Sequence, residues 1–384
     1  MKVLYIVKSL AQPAGTERIL TDKMNYLSEK AGIDILVATY EQGTHEIIFP
    51  LSPKIKHTDF NTPFYTLRNQ NILKLAISFL LMRIRFFTQL RKNVHSFKPD
   101  FIVCTTYSDF LIDIIFRFRR KAKIIIEAHV ERSAIEYKNK WSYNKLGRIA
   151  AKYIDKYILS LIKKASALVL LTNKDVPSWK EIKRVVVIPN FLTYYPNKIE
   201  SRISNKQIIA VGRLNEQKGF DLLLKAWVIV NKNHPEWTLN IYGNGSDKSS
   251  LMDFNEKNSL TQSAFIHDAT NKIYDKYMES DFYVLSSRYE GFGLVLIEAM
   301  SCGIPCVSFD CPNGPSDIIK EGEDGFLVEN GNIEMLAERI CFLIENENLR
   351  TSMGLKAREN VKRYLPDRII PKWVTLFEQL EKEK

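Results

Sequence analysis

The sequence predicts two doubly wound α/β units in tandem, each a parallel sheet with helices on both faces. Three observations carry this. The chain has 384 residues, too many for one core and too few for three at about 150 residues per domain. Short β-branched runs alternate with longer amphipathic stretches along its length, and the runs are near-continuously apolar, as strands buried on both faces must be. The alternation lapses once, in the polar segment from Tyr194 to Asn205, and then restarts.

In order, Lys2–Val7 reads as a strand, Glu17–Lys30 as a helix and Asp34–Thr39 as a strand. Asn71–His95 is helical, Phe101–Thr105 and Lys123–Ala128 are strands, Trp141–Lys164 is helical, and Ala167–Leu171 and Val185–Ile188 are strands. Pro189-Asn190 and the polar segment follow, which places an N-terminal domain at 1–195 and a C-terminal domain at 196–366. There the strands are Gln207–Val211, Trp237–Tyr242, Ala264–Ile266, Asp281–Leu285 and Pro305–Phe309, with helices at Gln217–Asn231, Lys272–Glu279 and Gly293–Ser301. An amphipathic helix at about 367–384 is long enough to pack back on either half. Tandem doubly wound halves place a ligand cleft between them, at the carboxyl ends of the strands.

Apolar residues make up 45% and charged residues 26%, which excludes a disordered or fibrous chain. The apolar run Leu75–Met82 is hemmed by Lys74, Arg83 and Arg85, far short of the roughly 20 residues of a membrane span. Met1–Val7 is too brief for a secretory leader and no small-residue cleavage site follows, so a cytoplasmic chain is expected. Five cysteines, odd in number and without a zinc spacing, read as reduced packing residues.

Charge is lopsided. Residues 1–200 hold 33 Lys and Arg against 17 Asp and Glu, whereas residues 201–384 hold 22 against 27. The densest basic stretch, 73–98, interleaves Arg83, Arg85, Arg91, Lys92 and Lys98 with Ile84, Phe86, Phe87 and Leu90, and Arg117-Phe118-Arg119-Arg120-Lys121 forms a second patch. Such a pattern fits a solvated helix face or a surface resting on anionic lipid headgroups. No nucleic-acid motif accompanies it.

The most informative segment runs from Ser286 to Met300. A strand end is followed by a loop containing Gly291 and Gly293, then by an apolar helix whose first N–H groups attract an anion. Glu298 is a lone carboxylate in that helix and needs a partner: the two hydroxyls of a vicinal diol, a buried Arg, or water. A second segment, Val211 to Asp221, delivers Arg213 from a strand end and places Lys218 in the first turn of the next helix. A cation is unfavourable there unless an anion lies between. Arg213 and Lys218 suit a clamp on a diphosphate; a solvated pair is the plainer reading.

Weaker signals are Gly15 in the first strand-to-helix link, Gly243 and Gly245 after Tyr242, and His129 and His267 at strand ends. The chain has no Gly-x-Gly-x-x-Gly fingerprint. Nor has it an Asp-x-Asp pair to hold a divalent metal on a nucleotide diphosphate. No metal site and no cofactor are expected.

Together these segments resemble the retaining, metal-independent glycosyltransferases of family 4, with the GT-B fold. Glu290 and Glu298 meet the family's Glu-x7-Glu signature, Arg213 and Lys218 its diphosphate-binding pair, Pro189-Asn190 its interdomain dipeptide and Gly15 its first loop. Pro312-Asn313-Gly314-Pro315 and Asp324-Gly325-Phe326 look like members that build bacterial capsule, O-antigen or exopolysaccharide. The chain departs from the family at Ala14, where a second glycine is usual, and at His267-Asp268, where a glycine commonly ends the strand.

The resemblance implies two Rossmann-like domains facing across a cleft, with the terminal helix packing back toward the first. It implies that Arg213 and Lys218 hold the donor diphosphate, that Glu298 binds ribose, and that Glu290 and the Phe292-Gly293-Leu294 backbone contact the transferred sugar and its phosphate. His129 would reach the sugar's hydroxymethyl group. The expected reaction moves a hexose from a nucleotide sugar, a UDP-sugar in the first instance, to a lipid-linked oligosaccharide in surface-polysaccharide biosynthesis, at the inner face of the cytoplasmic membrane. Partners are then the donor, the acceptor and an anionic membrane surface, without nucleic acid. The alternative from another class is a non-catalytic module binding anionic lipid or nucleic acid through its basic half. Within enzymes the rivals are an epimerase and a phosphorylase, and nothing here looks like the pyridoxal phosphate lysine a phosphorylase needs.

Overall fold

The computed structural model describes residues 1–67, 71–130, 132, 145–198 and 204–383. The chain divides into two units. The first holds Met1–Leu171, Asp175–Pro189 and Pro366–Lys384, the second Thr172–Lys174 and Asn190–Leu365. The second unit thus begins at Asn190, ahead of the expected break at 195/196. The reason is packing: Phe191 and Leu192 are buried, and the Leu192 N–H donates to the Tyr364 carbonyl (2.8 Å).

Unit one contains β1 (Lys2–Val7), α1 (Gly15–Lys30), β2 (Asp34–Thr39), β3 (Lys56–Asp59), α2 (Ile72–Phe97), β4 (Phe101–Thr105), α3 (Ile112–Phe118), β5 (Lys123–Glu127), α4 (Lys145–Ile162), β6 (Ala167–Leu170) and β7 (Val185–Val187). Its parallel sheet runs β3-β2-β1-β4-β5-β6-β7, with Lys2 opposite Asp34 and Val3 opposite Phe101. The central strands are buried on both faces, which is why they read as unbroken apolar runs. Edge strand β3, Lys-His-Thr-Asp, has no such pattern and went unpredicted; it is held by backbone pairing with Leu36–Thr39. The part of the predicted 141–164 helix before residue 145 lies outside the described residues.

Unit two contains β8 (Gln207–Val211), α5 (Phe220–Asn233), β9 (Thr238–Tyr242), α6 (Lys248–Lys257), β10 (Ala264–His267), α7 (Ile273–Glu279), β11 (Phe282–Leu285), α8 (Leu294–Ser301), β12 (Cys306–Phe309), α9 (Pro315–Ile318), β13 (Gly325–Val328), α10 (Ile333–Glu345) and α11 (Glu347–Asn360). Its parallel sheet runs β10-β9-β8-β11-β12-β13, the order of a doubly wound nucleotide-binding sheet.

The terminal helix α12 (Pro366–Lys382) belongs to unit one. Its Ile369, Trp373, Leu376, Phe377 and Leu380 are buried, and the Phe377 ring lies 5.0 Å from that of Phe101. Lys123 donates to the carbonyls of Leu380 and Glu383, and Arg184 forks onto the Glu383 carboxylate. Among the described residues no helix is long and apolar enough to cross a membrane. All five cysteines are free thiols.

Candidate active site

In unit two the chain winds outward from β8 to β9 and β10, then returns to place β11 against the other side of β8. The two strands flank the point where the winding reverses, which is where open α/β sheets bind ligands at their strand carboxyl ends. The loop after β8 carries Arg213 and Lys218, and the loop after β11 carries Glu290.

Lys218 does not sit in the first turn of a helix. It closes a separate 3₁₀ turn, Glu216–Lys218, ended by Gly219 in the left-handed region (φ +62°), and α5 starts only at Phe220. The dipole penalty expected for a cation therefore does not arise. A Cβ at Gly219 would lie 2.1 Å from the Ser286 carbonyl oxygen, so the turn lies flat against the β11 loop. Four hydrogen bonds join the two: Arg288 N–H to Gln217 O (2.8 Å), Ser286 Oγ to Lys218 O (3.0 Å), Gln217 Nε2 to Tyr289 O (3.1 Å) and Arg288 Nη1 to Glu216 O (2.7 Å). The Arg288 guanidinium also forks onto Asp221, 2.8 Å to each oxygen. The hydrogen bond from Arg288 holds the Asp221 carboxyl below its ordinary range, against the opposing effect of burial.

This lock brings Lys218 Nζ to 2.6 Å from Glu290 Oε1, and buried Ser287 donates to the same oxygen (2.6 Å). Arg213 is exposed, with Nη2 3.5 Å from Gln217 Oε1. Gly243 and Gly245, ambiguous in the sequence, have a packing role: a Cβ at either would lie within about 2 Å of the Gly212 or Leu214 carbonyl oxygen, and the Leu214 N–H donates to Asn244 O (2.9 Å).

Phe292 is buried with its ring edge-on to Tyr364 (5.5 Å). Gly293 (φ +95°) caps α8, and Gly314, whose Cβ would lie 2.2 Å from the Phe292 carbonyl oxygen, seats the Pro312–Pro315 segment against this loop. Half-buried Leu294 opens α8. Glu298 is half-buried and accepts from the Tyr277 hydroxyl (3.3 Å). Burial, reinforced by the Glu298 charge, raises the Tyr277 phenol well above its usual range, so it stays a donor.

In unit one, Gly15 is exposed at the start of α1. His129 follows β5, its side chain only 2% exposed and its Nε2 3.1 Å from Glu127 Oε2. Glu127 is held by Lys23 of α1 at 2.5 and 2.6 Å. Burial opposes the Glu127 charge, but Lys23 and His129 outweigh it and hold the carboxyl down at about 2. The Lys23 ammonium also lies 4.1 Å from the centre of the Trp373 ring. His267 is engaged elsewhere: Nε2 lies 2.9 Å from Asn240 Oδ1, and its ring stacks on Tyr242 (4.5 Å).

Residues 195–360 match the family model described as glycosyl transferases group 1. That match, with the relatives that follow, makes the chain a glycosyltransferase. It is 28% identical to an uncharacterized glycosyltransferase of Haemophilus influenzae, over 97% of this chain and 98% of that one. It is 27% identical to the amylovoran biosynthesis glycosyltransferase AmsD of Erwinia amylovora, again over 97% and 98%. Among solved structures it resembles TarM of S. aureus in a complex with UDP, fondaparinux and alpha-GlcNAc-glycerol (TM-score 0.77, 19% identity, 98% and 99% of the two chains). The fold of the glycosyltransferase is thus GT-B, and its activity sets aside the non-catalytic alternative. Sequence reasoning missed Ser287, Arg288, Lys23 and Glu127. Only Glu127 left a usable mark, a lone carboxylate after Ile124-Ile125-Ile126.

Proposed function

We propose that this glycosyltransferase belongs to family 4 and transfers a hexose with retention, without a metal ion, from a UDP-sugar to a lipid-linked oligosaccharide during surface-polysaccharide biosynthesis. The acceptor is presented at the inner face of the cytoplasmic membrane, where the basic first half meets anionic headgroups. One observation carries the reading: Lys218 and Glu290 meet at 2.6 Å at the switch point of the second sheet. Each neutralises the other in the free protein. A donor offers both a better partner, diphosphate oxygens for Lys218 and sugar hydroxyls for Glu290.

Arg213, five residues earlier on the loop that carries Lys218, adds a second cation, and the first N–H groups of α8 favour the phosphate. Glu298 accepts from the ribose hydroxyls while Tyr277 holds its other side. The acceptor hydroxyl attacks the anomeric carbon on the face the diphosphate leaves. The carbon–phosphate-oxygen bond breaks as the new glycosidic bond forms, and the hydroxyl proton passes to the departing phosphate. Lys218 and Arg213 offset the charge that builds there. AmsD, named for amylovoran biosynthesis, supports the pathway class, and the TarM complex with UDP supports the donor class.

The test is a thermal-shift screen over UDP- and GDP-sugars, followed by NMR of the product's anomeric proton with EDTA present. Stabilisation by a UDP-sugar and a product that keeps the donor's configuration are expected. Indifference to every UDP-sugar, an inverted product or loss of turnover in EDTA would overturn the corresponding part.

A further inference from the structure

We infer that the outer face of α2, continued by α4, is the surface on which this chain rests on an anionic bilayer, with a row of aliphatic side chains entering the lipid interface. The inference rests on the membrane-presented acceptor proposed above and adds the face and the mode of binding. It starts from a helix with two apolar sides. The inner side of α2 supplies Phe86, Leu90, Val94 and Phe97 to the core of unit one. On the opposite side Ile77, Leu80, Leu81 and Ile84 follow the spacing i, i+3, i+4, i+7 of a single helical stripe and are 54%, 59%, 60% and 49% exposed. Single exposed aliphatics are ordinary on a protein surface, but a contiguous row of four marks an interaction site.

The charges on the helix say what that row meets. None of the 26 residues of α2 is acidic. The same stripe begins at exposed Lys74 and ends at exposed Arg91 and Lys92, so aliphatics lie between basic ends. Helix α3 touches both α2 and α4 and leads to exposed Arg117, Arg120 and Lys121. On α4, Ile149, Tyr153 and Tyr157 recur at i, i+4, i+8 and are 47%, 72% and 54% exposed, with exposed Lys152 and Lys156 beside them. Aliphatics that enter the acyl boundary, tyrosines at headgroup level and lysines and arginines around them are the chemistry of a helix lying in an anionic interface. A second copy of this chain is a poor occupant, because it would bring two all-basic helices together.

The experiment is co-sedimentation of the full chain with vesicles of equal parts phosphatidylglycerol and phosphatidylethanolamine, against vesicles of phosphatidylcholine alone. The variants are a triple, Leu80→Ser with Leu81→Ser and Ile84→Ser, and a double, Arg91→Gln with Lys92→Gln. Wild type should prefer the anionic vesicles. The triple variant should lose at least about tenfold in partitioning at low salt, with unchanged Tm and unchanged transfer to a water-soluble acceptor. The double variant should bind more weakly at low salt, and its remaining binding should fall less steeply as salt rises. As a check independent of affinity, Leu81→Trp should add emission that shifts to the blue on anionic vesicles. A triple variant that sediments like wild type, or added tryptophan emission that does not shift, would overturn the inserted row while leaving charge-based binding intact. Wild type indifferent to anionic lipid overturns the docking face, and parallel transfer to the soluble acceptor then shows whether the proposed reaction survives. Self-association abolished by the triple variant would instead make this face an interface between copies.

Discussion

Lys218 Nζ and Glu290 Oε1, 72 residues apart in sequence, lie 2.6 Å apart across the two loops that flank the switch point of the second sheet. Both side chains are largely buried, 13% and 7% exposed, so neither is an ordinary surface ion. Lys218→Ala should lower turnover at saturating donor by about two decades or more, the usual cost of losing a group that offsets developing charge. Initial-rate measurements check this, and a loss of only a fewfold would remove Lys218 from the clamp.

Gly219 is the hinge pin of that arrangement. Alanine there must adopt φ +62° and place a methyl 2.1 Å from the Ser286 carbonyl oxygen. Gly43 has a similar φ (+59°) with nothing within 4 Å of a Cβ. Gly43→Ala should therefore cost about 1 kcal/mol from backbone strain alone. Gly219→Ala should cost clearly more in thermal unfolding and strip most of the transferase activity. Equal Tm shifts for the two variants would contradict the close approach.

The doubly wound order was legible because central strands such as Phe101–Thr105 and Lys123–Glu127 are buried on both faces and must be apolar throughout. Edge strand Lys56–Asp59 obeys no such demand, and its half-exposed polar residues look like a loop. The Lys218 and Glu290 loops were legible as glycine-bearing strand ends. The 3₁₀ turn was not, because the apolar periodicity of α5 runs up to it unbroken and only Gly219 marks the stop. Lys23 was illegible for a different reason: on an amphipathic helix a lysine reads as solvated, and only its partner Glu127, 104 residues away, makes it a core residue.

That buried pair predicts a pH dependence. Glu127 is held at about 2 in the folded chain against an ordinary 4.5. A depressed carboxyl contributes stability that is complete above its unfolded pKa and is lost as pH falls from about 4.5 toward about 2. Wild-type Tm should drop across that window, and Glu127→Gln should drop less steeply there. At neutral pH Glu127→Gln should cost about 3–5 kcal/mol because it leaves the Lys23 ammonium buried without its counter-charge. Lys23→Met added to Glu127→Gln should recover much of this. Denaturant unfolding of wild type and the two variants measures it, and a double variant no more stable than Glu127→Gln alone would exclude the pairing.

Arg288 should matter more to rate than to stability. Its fork onto Asp221 is partly solvated, with side chains 33% and 43% exposed, so removing it should cost only about 0.5–1 kcal/mol after screening. The same guanidinium holds the Glu216 carbonyl, and through it the turn that aims Lys218. Arg288→Ala should therefore lower kcat about ten- to a hundredfold by misplacing that ammonium. Asp221→Asn, which leaves the Arg288 bond to the Glu216 carbonyl in place, should lower it far less. Steady-state kinetics beside thermal unfolding separates the two effects: if turnover and Tm fall together in both variants, Arg288 stabilises the unit without positioning Lys218.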